Sequence, residues 1–189
     1  MRTLSLLPLL LVAGTSASAD PLLPQGHFRT ECLPIGKNDR HGFIAEIRIE
    51  GRDISAFAQS YAHNDCDVPT VQVDYRGTIT AATGKDDRVD FTQETGRFLY
   101  TLLADDVTAY YNANADTAGC GIDDWQTDAP RDVAGRTCAP NAFPEAGTVL
   151  KDSLWGNDDA IHFGRMPMVW DAVTGYPEEP SAIRFTRVE

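Results

Sequence analysis

The chain has 189 residues with 28 acidic against 16 basic side chains, a formal net charge of −12 at pH 7. Such a balance repels phosphate backbones and anionic lipid surfaces, so it argues against nucleic-acid binding and peripheral membrane attachment. The length fits one domain able to bury its own core.

Met1–Ala19 carries one charge, at Arg2, then an apolar run from Leu4 to Ala13 and the small-residue ending Ala17-Ser18-Ala19. This pattern predicts a secretory signal peptide cleaved after Ala19, because the apolar run is short for a membrane-spanning helix. The expected product is a soluble domain over 20–189, periplasmic or secreted, with no stable membrane anchor. Loss of Arg2 with the leader makes the remaining chain slightly more acidic.

From Gly26 onward apolar and polar residues alternate in short segments. Gly26–Cys32 places Phe28, Thr30 and Cys32 on one face of a first strand, and Leu33–Arg40 holds Pro34, Gly36, Asn38 and Asp39, which is turn chemistry. Phe43, Ala45, Ile47 and Ile49 then alternate with Ile44, Glu46, Arg48 and Glu50, the pattern of a half-buried antiparallel strand. Gly51-Arg52-Asp53 reads as a hairpin connection to a strand over Ile54–Ala62, whose larger side chains Phe57, Gln59 and Tyr61 share a face. A turn around Cys66 leads to Val71–Ala81, where Gly77 suggests a bend or bulge.

Arg88–Thr95 and Phe98–Leu103 read as two further strands punctuated by Gly96. Over Ala104–Pro144 the alternation is lost, and Asp, Asn, Gly, Ala and Pro dominate. A loop of that length needs a tie or a function; a short helix is expected over Asp106–Asn114 and a turn around Trp125. Strands resume at Gly147–Trp155 and Ala160–Gly164, a polar loop covers Val173–Pro180, and Ser181–Val188 closes the chain. Met166, Met168 and Trp170 alternate, as a strand face or a flexible lip would.

About eight to ten short strands with tight connections and no long helix predict an all-β fold: a single antiparallel up-and-down barrel with a long disulfide-tied loop containing short helical turns. The four cysteines, an even number in a chain read as exported, allow three pairings. The sequential one, Cys32–Cys66 and Cys120–Cys138, joins segments that a meander makes neighbours. Each bridge would contribute about 3 to 4 kcal/mol in the loop-entropy model.

Several short motifs carry a family resemblance. Gly26-His27-Phe28 resembles the Gly-x-Trp opening of lipocalins and other calycins, with Phe28 in the Trp position. The segment Ile183–Arg187 offers an arginine to pack over that ring. The run Tyr61–Asp67 with Pro69, Gly77-Thr78, Cys120–Trp125, Asp132-Val133 and Gly135 resembles bacterial lipocalin-like proteins related to the adenomatosis-polyposis-coli-down-regulated domain. The resemblance implies an extracytoplasmic barrel whose relatives often hold apolar molecules.

Candidate cavity-lining residues on the parity taken as inward are Phe43, Ile47, Phe57, Gln59, Tyr61, Val73, Tyr75, Val89 and Phe91. Any barrel of this composition must bury such side chains, whereas polar groups such as Gln59, Tyr61 and Tyr75 inside an apolar space usually fix a ligand or a water. Catalysis has no motif: His27, His41, His63 and His162 lie in no nucleophile or metalloprotease frame. Asn64–Asp67 and Gly156–Asp159 lack a calcium-loop frame and read as turns, so neither a metal nor a cofactor is expected. The expected function is binding of a small, mainly apolar ligand without chemistry, with no identified protein partner. The alternative is an envelope interaction module with a filled barrel and the 104–144 loop as its contact surface.

Overall fold

The computed structural model describes residues 22–166 and 175–188, so the proposed leader, Met168 and Trp170 lie outside the described residues. Among the described residues there are twelve strands, one α-helix and one short 3-10 turn at Lys37–Asp39. Eight strands form the barrel: β1 (Gly26–Arg29), β3 (His41–Glu50), β4 (Asp53–Tyr61), β5 (Pro69–Lys85), β6 (Arg88–Leu102), β10 (Val149–Gly156), β11 (Ala160–Phe163) and β12 (Phe185–Arg187). Each pairs antiparallel with the next, and β1 closes the ring by pairing with both β3 and β12. Closure leaves the staves without free edges.

Short pieces decorate this ring. β2 (Leu33–Ile35) pairs with the start of β3, and β7 (Arg131–Asp132) pairs with β6. β8 (Thr137–Cys138) and β9 (Asn141–Ala142) make a separate hairpin, and α1 spans Asp105–Ala113. The disulfides are Cys32–Cys66 and Cys120–Cys138, the sequential pairing, with Cα atoms 6.0 and 4.2 Å apart. Two disulfides fit an oxidising compartment.

Two expected strands prove to be one. Arg88–Leu102 is continuous, because the interruption at Gly96 is a bulge: Arg76 faces Arg97 while Gly77 faces Thr95, which leaves Gly96 as the extra residue. A Cβ on Gly96 would lie 2.7 Å from the Arg76 carbonyl oxygen, so the bulge needs glycine's absent side chain. Bulges bend a strand and strengthen its twist, which lets β5 and β6, at 17 and 15 residues, curve around the ring. The closing strand, by contrast, is shorter than Ser181–Val188, with only Phe185–Arg187 in the ladder.

Gly77 lies directly beside the bulge. A methyl there would meet the Tyr75 hydroxyl at 2.1 Å, and that hydroxyl donates to Gln93 Oε1 at 2.8 Å inside the barrel. Gly77→Ala is therefore expected to cost about 1 to 3 kcal/mol through overpacking, measured by urea denaturation. An unchanged midpoint would show that Tyr75 can move aside freely.

Candidate functional site

The pairing register decides what the barrel contains. The β3–β4 hairpin turns through only two residues, Gly51 and Arg52, because Glu50 faces Asp53. Ile47 therefore faces Ala56, Ala45 faces Ala58 and Phe43 faces Ser60. With Ile47 and Ala45 fully buried, the small residues Ala56, Ala58 and Ser60 point inward. Phe57, Gln59 and Tyr61 take the opposite face, opposite Glu46, Ile44 and Gly42, and lie half-buried on the outer wall. This corrects their expected inward placement. The Gln59 and Tyr61 side chains bond to each other there, with 3.1 Å between their oxygens.

The other candidates are inward but divide between two environments. Ile47, Tyr75 and Phe91 belong to a packed lower half with Phe28, Phe98, Phe163 and Phe185. Tyr75 and Phe98 have ring centroids 4.8 Å apart, and Phe163 meets Phe91 and Phe185 edge-on. Polar groups buried here are paired: Tyr75 donates to Gln93, and Gln93 Nε2 reaches Met166 Sδ at 3.0 Å. Burial raises the Tyr75 phenol above its ordinary pKa, so it stays neutral. Val89 is partly buried against the same core.

Phe43 and Val73 sit at the other end, where a cavity of about 400 Å³ opens. Its barrel wall is formed by Phe43, Ala58, Ser60, Val71, Val73 and Tyr100, and its rim by Ile35, Tyr111, Pro140, Asn141 and Phe143. The small side chains of β4 leave this space unfilled. Thus only Phe43 and Val73 of the nine candidates line the cavity, and the larger share of its wall was missed.

The segment with no strand periodicity builds the rim. Tyr100 on β6 and Tyr111 on α1 join hydroxyl to hydroxyl at 2.7 Å. Trp125 packs edge-on to both rings, and its indole Nε1 donates to the Gly119 carbonyl at 2.9 Å. Phe143 meets Tyr100 and Phe98, while the Cys120–Cys138 bridge ties the segment together. Burial raises both phenols, Tyr100 further because Tyr111 also disfavours its ionisation. Both therefore remain hydrogen-bond donors at any physiological pH.

The histidines occupy separate local contacts. His27 Nε2 lies 2.9 Å from Glu46 Oε2, His41 Nδ1 lies 3.0 Å from the Ala62 carbonyl, and His162 Nδ1 lies 3.3 Å from the Ser181 carbonyl. His63, Asp65 and Asp67 bring one ligand atom each within 4.8 Å, all exposed, on the turn held by Cys32–Cys66. The His63 contact at 2.8 Å holds the Asp67 carboxyl below the usual range. Asn157 accepts from the Asp159 and Ala160 amides, the turn role expected of that stretch.

At the closing seam, Phe28 is fully buried and the Arg187 guanidinium lies over its ring at 4.8 Å. Phe28 and Arg187 are also direct partners across the β1–β12 ladder. These features define a closed eight-stranded barrel with a buried aromatic core and, at one end, a cavity with an aromatic rim. No protein-family model matches the chain, and a comparison with curated proteins finds no match.

Proposed function

We propose that the protein is an exported, non-enzymatic, lipocalin-like binding protein that holds one small, mainly apolar ligand at the open end of its barrel. The observation that carries this reading is the 400 Å³ cavity walled by Phe43, Ala58, Val71, Val73 and Tyr100 above a buried aromatic core. That size lies within the range of small-molecule sites. Placement of an arginine over Phe28, where β1 and β12 meet, supports the lipocalin-like resemblance. The two disulfides support export.

The polar requirement is also readable. In the Tyr100–Tyr111 pair one hydroxyl donates to the other, which leaves a single phenolic proton at the rim for an acceptor on the ligand. The ligand is then an apolar body with one acceptor, such as a ketone, ether or ester.

Neutral N-phenyl-1-naphthylamine tests the cavity directly. The oxidised protein should enhance its fluorescence with saturation, and Ala58→Phe, which fills the space from the β4 side, should weaken binding at least tenfold. Absence of enhancement, or equal binding by the variant, would rule out the mouth as a ligand site.

A further inference from the structure

The outer wall of the barrel carries a second concave surface, separate from the mouth. Across it runs one cross-strand row: His27 on β1 faces Arg48 on β3, Arg48 faces Ser55 on β4, Ser55 faces Arg76 on β5, and Arg76 faces Arg97 on β6. The next row on the same face is Glu46, Phe57, Asp74 and Leu99. Together these rows line a groove of about 580 Å³ that continues past Leu103 to Pro130 and Asp128.

Charge on this wall is unevenly satisfied. Glu46 is held by His27 at 2.9 Å and Arg29 at 3.4 Å, and Asp74 accepts from Gln72 Nε2 at 2.6 Å. Arg48 reaches back along its own strand to Glu50 at 3.3 Å. Arg76 and Arg97 are both exposed and form no ion pair among the described residues. Like charges directly opposite in a ladder destabilise the sheet, and the pair stands in a chain whose net charge is −12. An anion placed between two adjacent guanidinium groups removes that repulsion and gains charge-assisted hydrogen bonds with defined geometry.

Beside the arginines apolar and polar side chains mix: Asp74, its carboxylate taken by Gln72, lies between Phe57 and Leu99 in the ladder. Phe57 and Leu99 are half-buried on the outer face, one row away from Ser55 and Arg97, with Leu103 and Pro130 beyond. A hydrated inorganic ion would use the arginines and leave the half-buried faces of Phe57 and Leu99 unused. A polynucleotide or an anionic membrane would meet the repulsion of a chain with net charge −12.

We propose that this outer groove binds a free carboxylic acid with an apolar body, its carboxylate between Arg76 and Arg97 and its body on Phe57 and Leu99. Ser55, between Arg48 and Arg76, offers a hydroxyl to the same head group. The site shares no residue with the mouth cavity, so the barrel can hold two ligands of different charge. Phe57, which the sequence pattern assigns to the interior, has its use on the outside.

Amide-resolved NMR titration at 0.15 M salt, with naphthalene-2-carboxylate and its neutral analogue 2-naphthalenemethanol, tests the proposal. The acid should shift amides over Ser55–Phe57, Asp74–Arg76 and Arg97–Leu99, and the alcohol should not. The double variant Arg76→Gln, Arg97→Gln should raise the Kd for the acid at least tenfold while N-phenyl-1-naphthylamine still binds at the mouth. Ala58→Phe should leave the acid's affinity unchanged. Acid shifts confined to the mouth, equal shifts of the groove amides by the alcohol, or an unaffected double variant would each overturn the site.

Discussion

Replacing Asp152 with alanine is expected to cost about 4 kcal/mol at pH 4.5, and less at neutral pH. Asp152 lies on β10 with only 2 % of its surface exposed. Its carboxyl accepts from the backbone amides of Ser153 at 2.8 Å, Gly164 and Arg165 at 3.1 Å and Met166 at 3.0 Å. The chain leaving β11 is thereby folded back against β10, and Met166 is placed where Gln93 reaches its sulfur. Alanine removes the acceptor from the buried Ser153 and Met166 amides and from the part-buried Gly164 and Arg165 amides; each buried orphaned donor costs about 1 to 3 kcal/mol. Gly164 keeps a second acceptor, the Ser153 carbonyl, so the sum stays below four full penalties.

The smaller cost at neutral pH follows from ionisation. Burial pushes the Asp152 carboxyl up from 3.8 to about 6, more than the four amide hydrogen bonds pull it down. With the folded pKa raised, the native state binds the proton more tightly than the unfolded chain. The contribution is therefore fully present below the unfolded pKa near 4 and is lost as pH rises through 6. Between pH 4.5 and 7.5 this group should remove about 2 kcal/mol of stability from the wild type and none from the alanine variant. Chemical denaturation of both proteins across that range measures the difference. A gap between the curves that widens with rising pH would mean that Asp152 is ionised at low pH and that its amide bonds outweigh its burial.

How far the sequence foretells this molecule depends on one turn. Alternation in Phe43–Ile49 identified the inward face of β3, since Ala45, Ile47 and Ile49 are fully buried. Reading Gly51-Arg52-Asp53 as a three-residue connection makes Glu50 face Ile54 and sends Phe57, Gln59 and Tyr61 inward. The real turn is Gly51-Arg52, Glu50 faces Asp53, and every β4 side chain changes face. The preference for large residues inside reinforced the error, because a barrel that keeps a cavity needs small ones on part of its wall. The positive φ of 61° at Gly51 fits a two-residue hairpin, and that dipeptide was the available signal. No periodicity marks Tyr111, Pro140 and Phe143 as rim residues, because they come from an irregular segment positioned by long-range aromatic contacts and by the second disulfide.

The seam should be where the barrel yields first, and Phe28→Ala should open it. β1 and β12 have four and three residues, and the β1–β12 and β11–β12 ladders comprise two register pairs each, against fourteen for β5–β6. So few backbone bonds leave closure to side chains. Phe28 fills the interior beside the seam, and Arg187, its ladder partner on the same face, caps its ring while donating to the Gln25 and Asp158 carbonyls. Gly26 completes the fit: its φ is 129°, and a Cβ there would strike the Arg187 guanidinium. Removing a fully buried phenylalanine ring costs about 3 to 5 kcal/mol. Arg187→Ala should cost less, because the guanidinium is partly solvated, but the two losses should not add. A double-mutant cycle is expected to return about 1 kcal/mol of coupling for the cation–ring contact. In native-state hydrogen exchange the amides of Phe185–Arg187 should exchange well before those of β5 and β6, and Phe28→Ala should quicken them further. Strictly additive costs would remove the ring contact from the account of closure. Protection at β12 equal to that at β5 would show that the short ladders open only with the whole barrel.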